Sequence, residues 1–273
     1  MKPRNASQSF LGKYSEQTLN RLRVAVIGYG GGGSHLCQQL AHIGIGEIIS
    51  ADDALTKHRN LNRLVGATAK DAEIKTPKVN IAKRLVRGVS PTTNLLAFQS
   101  KWQLVADSLK SCHVIFGAVD SYRDRDELER FSRRHLIPYI DIGMDILQYQ
   151  NGYAIGGQVI LSMPGQLCLR CFGFLTEARL AEEAKNYDQA GARPQVIWPN
   201  GVLASLAIGL FMQIVTPWND RPLTSSYIEF DGNNNTAQVS NRQQAAQKHN
   251  FTCQHFSAHF VGDPFLDGPS KLN

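Results

Sequence analysis

Apolar residues along this chain come in short unbroken runs, separated by longer stretches in which they recur at helical spacing. Val24–Ile27, Val114–Val119 and Pro138–Ile142 are runs of the first kind, with Glu47–Ala51 and Asn94–Phe98 close to them in character. Such runs predict strands buried on both faces, the arrangement of a parallel sheet covered by helices. Between Val24–Ile27 and Glu47–Ala51, residues Leu36, Cys37, Leu40, Ala41 and Ile43 share one helical face. Ser34 is placed to cap that helix and Gly44 to stop it. Lys78–Gly88 predicts another helix, ended by Ser90-Pro91, and Asp124–His135 a charged amphipathic one. Trp102–Leu109 reads as a short helical turn.

This alternation predicts an α/β fold, a Rossmann-like, doubly wound, mostly parallel sheet. After Gly143 the pattern changes. Gly152–Met163 alternates like a strand, and Ser226–Phe230 with Thr236–Ser240 reads as a hairpin across Asp231-Gly232, giving a C-terminal antiparallel extension. Thr176–Pro194 is polar, has no clear apolar face and reads as a mobile segment. Gly201–Val215 reads as a buried helix, too short to span a bilayer. Neither a repeat nor a long linker divides the chain, so 23–260 is expected to form one domain, with an N-terminal arm at 1–22 and a tail at 261–273.

Composition adds little. The 273 residues are 42% hydrophobic and 19% charged, and no N-terminal apolar run suggests a leader, so a cytoplasmic protein away from membranes is expected. The net charge of +6 is scattered rather than gathered in a stripe interleaved with aromatics. A polyanionic small ligand or an acidic protein partner therefore accounts for it as well as nucleic acid does. Five cysteines, an odd number, argue against a secreted disulfide framework. Cys37 and Cys112 sit in apolar segments and read as inert core residues.

The chemistry starts at the first strand, which runs into Gly28-Tyr29-Gly30-Gly31-Gly32-Gly33. Gly28, Gly30 and Gly33 fit the G-x-G-x-x-G spacing of a tight turn, a close approach to phosphate and tight helix packing. Amides at such a helix start attract anions. The second strand ends at Asp52-Asp53, about 20 residues on, where a ribose-binding carboxylate belongs. Four further elements belong at the same crevice: Asn60-Leu61-Asn62-Arg63, Lys78 at a helix start, Asp120 after a buried strand, and Arg125. Arg63 offers a planar fork to phosphate and Lys78 a point charge. Asp120 is the kind of carboxylate that holds Mg²⁺ against a triphosphate. Two extra cations and a strand-end acid suit ATP better than a dinucleotide.

In this order, Gly28–Ser34, Asp52, Asn60–Arg63, Lys78 and Asp120 resemble the HesA/MoeB/ThiF family of adenylating enzymes, relatives of ubiquitin-activating enzymes. The resemblance extends through Gly156-Gly157-Gln158-Val159 and Cys168-x-x-Cys171 to the helix at Gly201, roughly Arg23 to Val215. It implies ATP- and Mg²⁺-dependent activation of the C-terminal glycine carboxylate of a ubiquitin-like or sulfur-carrier protein as an acyl-adenylate. By the resemblance, Gly31 lies under the phosphates, Asp52 holds the ribose, and Asn60, Arg63 and Lys78 grip the phosphates. Asp120 positions Mg²⁺, and Ser121 belongs to the nucleotide site. The family also implies a homodimer in which an arginine of the arm, here Arg4, reaches the other subunit's site; Ser7 stands where a second arginine is often found.

The chain departs from the family twice. Related enzymes hold zinc with two Cys-x-x-Cys pairs, but Phe256 stands where the last cysteine belongs. Cys168, Cys171, Cys253 and a histidine, His255 by position with His249 and His259 nearby, remain as a three-cysteine, one-histidine set for zinc. The thioester cysteine of members that pass their partner onward is missing from Thr176–Pro194 and from the stretch through Trp198. Three other readings stay open: an NAD-dependent oxidoreductase, a nucleotide-holding adaptor of a conjugation system, and a dehydratase acting on a modified tRNA base.

Overall fold

The computed structural model describes residues 6–185, 194–248 and 252–256. Its eight strands are β1 (Arg23–Ile27), β2 (Glu47–Ala51), β3 (Asn94–Phe98), β4 (Val114–Gly117), β5 (Tyr139–Tyr149), β6 (Gly152–Ser162), β7 (Tyr227–Asp231) and β8 (Thr236–Val239). They form one sheet in the order β3-β2-β1-β4-β5-β6-β7-β8. The first five neighbours pair parallel, and β5 to β8 pair antiparallel. The mostly parallel, doubly wound sheet with an antiparallel C-terminal extension is therefore the fold observed.

Connection length explains the change of direction. Parallel neighbours need a crossover, and α2 (Gly31–Ile43), α4 (Lys78–Val89), α5 (Ala106–Leu109) and α6 (Tyr122–Arg134) supply it. Only Gln150 and Asn151 join β5 to β6, so β6 must turn back beside β5. The strand expected to end at Ile142 runs on to Tyr149, because residues from Gly143 onward keep pairing with β6. The change of pattern after Gly143 marks a hairpin leaving the core, not the end of a strand.

Period-two alternation sorts each central strand between two cores. Val24 and Val26 face one side with Ile48, Phe116 and Ile140, under α2, α4 and α8 (Ile197–Val215). Ala25, Ile27, Ile49 and Ile115 face the other, against Leu128 of α6 and Leu169, Phe172 and Phe174. Full burial of each large side chain contributes about 1.5–3 kcal/mol, which is why these runs lack polar interruption.

Three expectations need correcting. Ser34 does not cap α2: the helix begins among the glycines with Gly30 as its cap residue, and Ser34 Oγ bonds Gly31 O and accepts from Val65 N. Gly44, with φ of 92°, does end it. The buried helix starts at Ile197 rather than Gly201, since Pro199 is tolerated in a first turn where its missing N–H costs nothing. At 19 residues α8 is long and apolar enough to cross a membrane by composition alone, so length does not argue against it. Its Leu203, Ala204, Ala207 and Phe211 are nonetheless built into the core. Finally, Thr176–Pro194 is not wholly irregular: Glu177–Lys185 forms α7. The remaining α-helices of the described residues are α1 (Ser15–Arg21) in the arm, α3 (Ala69–Glu73) and α9 (Asn241–Lys248).

Candidate active site

In this strand order, β1 lies between β2 and β4, so the chain leaves β1 and β4 in opposite directions and a crevice opens beyond their carboxyl ends. The rims are tied by Gly28 N donating to Ala51 O (3.0 Å) and Ala118 N to Ile27 O (2.8 Å). Gly28 has φ of 87°, and a Cβ there would collide with the Ala118 carbonyl. Gly33 sits so close to the Gly28 carbonyl that only hydrogen fits. The third glycine of the motif thus serves packing and lies outside the cleft lining, whereas Gly28, Gly30 and Gly31 line it. No side chain caps the start of α2, leaving a helix end suited to anions.

The cleft over this turn encloses about 820 Å³ and brings together Asp52, Asn60, Arg63, Lys78, Asp120 and Arg125. Asp52 accepts hydrogen bonds from Tyr29 N (2.7 Å) and Ala54 N (2.8 Å), and Lys78 Nζ lies 3.4 Å from the same carboxylate. Asn60 Oδ1 accepts from Lys57 N, holding the loop that carries Arg63. Arg63 donates to Arg59 O and Asn62 Oδ1. Burial pulls its pKa below the ordinary value, against the opposing pull of Asp120. Asp120 lies three residues past β4, in the turn, and accepts from Gln195 Nε2 at 3.0 Å. Ser121 is the cap of α6, accepting from Asp124 N, and is not among the cleft-lining residues. Arg4 lies outside the described residues, as do His249 and His259.

Arg125 reaches the cleft but is anchored from behind. It forms a buried ion pair with Asp141 of β5 and also donates to Ile142 O. Burial alone would lower its pKa, but Asp141, Tyr139 and Asp120 hold it above the ordinary value. An acid inside the apolar run Tyr139–Ile142 was the available signal for this partner. Asp141→Ala leaves a buried guanidinium uncompensated, so urea unfolding is expected to show a loss of about 3–5 kcal/mol; a loss under about 1 kcal/mol, the range of exposed pairs, would remove the pair from the core's supports.

Sequence reasoning also missed the far wall. Glu183 of α7 accepts from Tyr122 N and Arg123 N (both 2.9 Å) and from Ser121 Oγ (3.3 Å), closing the start of α6. Arg179, one turn earlier, stacks on Tyr122 and Phe174. Asn200 of α8 and Gln158 of β6 complete the lining. Gln158 falls within Gly156–Val159, part of the family resemblance, but a polar stretch and an apolar helix gave no pattern that would single out Arg179, Glu183 or Asn200.

At the opposite end of α6, Cys168, Cys171, Cys253 and His255 place one ligand atom each within 4.8 Å of all the others. His255 thus lies beside the three thiols, while Phe256 stacks on the guanidinium of Arg133. The Cys168 thiol donates to Cys171 and draws that thiol's pKa down to about 4. Cys37 and Cys112 are buried, and desolvation pushes both thiols up to about 12.

The ThiF family model matches residues 3–254. The SAMP-activating enzyme E1 of Haloferax volcanii is 29% identical over 55% of the chain and 52% of its own length, so the chain spans about half of that relative. The sulfur carrier protein ThiS adenylyltransferase of Escherichia coli is 27% identical over 74% of the chain and 77% of its own. Among solved structures, Escherichia coli MccB with ATP superposes with a TM-score of 0.72 over 89% of the chain and 72% of its own, at 18% identity. That last likeness is one of fold.

Proposed function

The chain belongs to the ThiF family, and on that premise we propose that it activates the C-terminal carboxylate of a ubiquitin-like or sulfur-carrier protein as an acyl-adenylate, releasing pyrophosphate. The observation that carries this reading is the convergence at one crevice of an uncapped helix start, two cations (Arg63 and Lys78) and the acid Asp120. The names of two relatives, an E1 for SAMP and an adenylyltransferase for ThiS, support the partner class. The reaction asks for alignment and charge neutralisation rather than a protein nucleophile. The α2 amides receive phosphate, Arg63 and Lys78 neutralise the departing pyrophosphate, and Asp52 orients the ribose. Lys78 rests on Asp52 here, so both are held at the nucleotide's place before it arrives.

Asp120 offers hard carboxylate oxygen beside the phosphate seat, which suits Mg²⁺. Bound there, Mg²⁺ would offset charge on the phosphates. The sulfur and nitrogen donors of Cys168, Cys171, Cys253 and His255 suit tetrahedral zinc, which would tie two distant segments together. Purified protein is expected to contain one zinc, and chelation to lower its melting temperature without reducing the affinity of the cleft for ATP. Elemental analysis showing no zinc would end that claim. With no cysteine between Thr176 and Trp198, and with Cys37 and Cys112 buried, a thioester at the usual place is not expected, and the product on this reading is the adenylate itself. We further place Arg4 across a homodimer interface, in the partner's cleft.

ATP–pyrophosphate exchange with Mg²⁺, run with and without small β-grasp proteins ending in glycine, tests the reading. Exchange dependent on such a partner is the expected result. ATP binding without exchange for any of them would favour a nucleotide-holding adaptor instead.

A further inference from the structure

One residue of the cleft touches both of its halves. Asn200, in the first turn of α8, is only 6% exposed. Its Nδ2 donates to Val196 O at 2.8 Å and lies 3.2 Å from Met144 Sδ on β5. A thioether is a weak acceptor. One N–H of this buried amide is therefore spent on a partner that an anionic oxygen readily displaces. On its other side the amide fills the space beside the glycine turn. A Cβ on Gly31 would lie 2.6 Å from Nδ2 and 3.1 Å from Oδ1, and one on Gly32 would lie 3.5 Å from Oδ1. At 2.6 Å from Nδ2 a methyl group on Gly31 fits only if the amide shifts. The amide thus stands between the peptide units that face phosphate and the β5 wall of Gly143 and Met144.

We propose that Asn200 gives its sulfur-bound N–H to a non-bridging oxygen of the α-phosphate that the carboxylate attacks, and that residue 31 is glycine to leave it room. The assignment rests on the adenylation reading. In that step a carboxylate oxygen forms a bond to the α-phosphorus. The bond from that phosphorus to the oxygen bridging the β-phosphate breaks, and pyrophosphate leaves with the electron pair. Asn200 keeps its proton; it steadies negative charge on the α-phosphoryl oxygens while bonding changes. Gly31, by this account, answers to its protein neighbour as much as to the nucleotide.

The test is a cycle of Asn200→Ala, Gly31→Ala and the double variant. It is read by calorimetric binding of ATP with Mg²⁺, by pyrophosphate exchange with the carrier that supports the parent, and by thermal melting. Asn200→Ala is expected to bind ATP within about 3-fold of the parent yet to exchange about 10²-fold more slowly, the usual scale for one lost transition-state donor. Gly31→Ala is expected to melt lower and bind ATP weakly. The double variant should recover binding and melting but not exchange. Exchange in Asn200→Ala within about 3-fold of the parent would overturn the donor role, since one lost donor costs far more. A double variant no better than Gly31→Ala would show that the nucleotide, not Asn200, excludes a side chain at 31. Failure of the parent to bind ATP would instead bring down the adenylation reading and the donor role with it. The melting temperatures would still report whether Gly31 and Asn200 are fitted to each other.

Discussion

Gly33→Ala is expected to be the most damaging single substitution in the nucleotide turn. Its Cβ would fall on the carbonyl oxygen of Gly28, main chain on main chain, with no flexible side chain to yield. Gly28 cannot retreat, because its N–H is tied to Ala51 O and its own Cβ position abuts the Ala118 carbonyl. Relief therefore requires α2 to lift from β1, along with the buried Leu36, Cys37 and Leu40. A cost on the order of 4 kcal/mol or more follows, a large share of the 5–15 kcal/mol that stabilises an ordinary domain. Thermal and urea unfolding measure it. Unfolding indistinguishable from the parent would mean that the turn is not packed as described.

Asp120→Ala carries the second large effect, on rate and not on stability. Asp120 is exposed and its hydrogen-bond partner is the Gln195 amide, so folding should be unaffected. Pyrophosphate exchange is expected to fall by about 10²–10³, the scale for removing one electrostatic stabiliser. Lys78→Ala and Arg63→Ala should fall by similar factors, but with a difference of kind. Lys78 also neutralises Asp52, so its loss should weaken ATP binding as well as slow exchange. Asp120→Ala retaining parental exchange at saturating Mg²⁺ would remove this carboxylate from the mechanism.

The parallel half of the fold was legible because strands buried on both faces must be apolar throughout, and each was followed by a helical period. Asp52, Asn60, Arg63, Lys78 and Asp120 were legible because a crevice at the β1/β4 switch point collects whatever follows the strands, and the structure does line one cleft with them. Ser34 was misread because a hydroxyl near a helix start looks like a cap, whereas three glycines, with Gly30 as cap, had already begun the helix. Asn200 was hidden inside an apolar helix, where a single polar residue breaks no periodicity. Asp141 stood out as an acid in an apolar run, but which cation it pairs with was hidden by separation along the chain until β5 lies under α6. His255 was one of three histidines beside Cys253, and in the described residues its ring nitrogen lies within 4.8 Å of the three cysteine sulfurs, a proximity that spacing alone does not give.

The manner in which α7 is attached has a dynamic consequence. It buries no residue of its own; among the described contacts it is held by the Glu183 carboxylate at three donors of α6, the stacking of Arg179, the Glu177–Arg170 ion pair and the hydrogen bond from Arg179 to Phe174 O. Contacts of that kind contribute a few kcal/mol at most, far less than the apolar packing that fixes the floor of the cleft. Local opening of this wall therefore lies at the low end of the molecule's free-energy spectrum. The cleft can breathe on one side, many times over, while the sheet and the glycine turn beneath it stay folded.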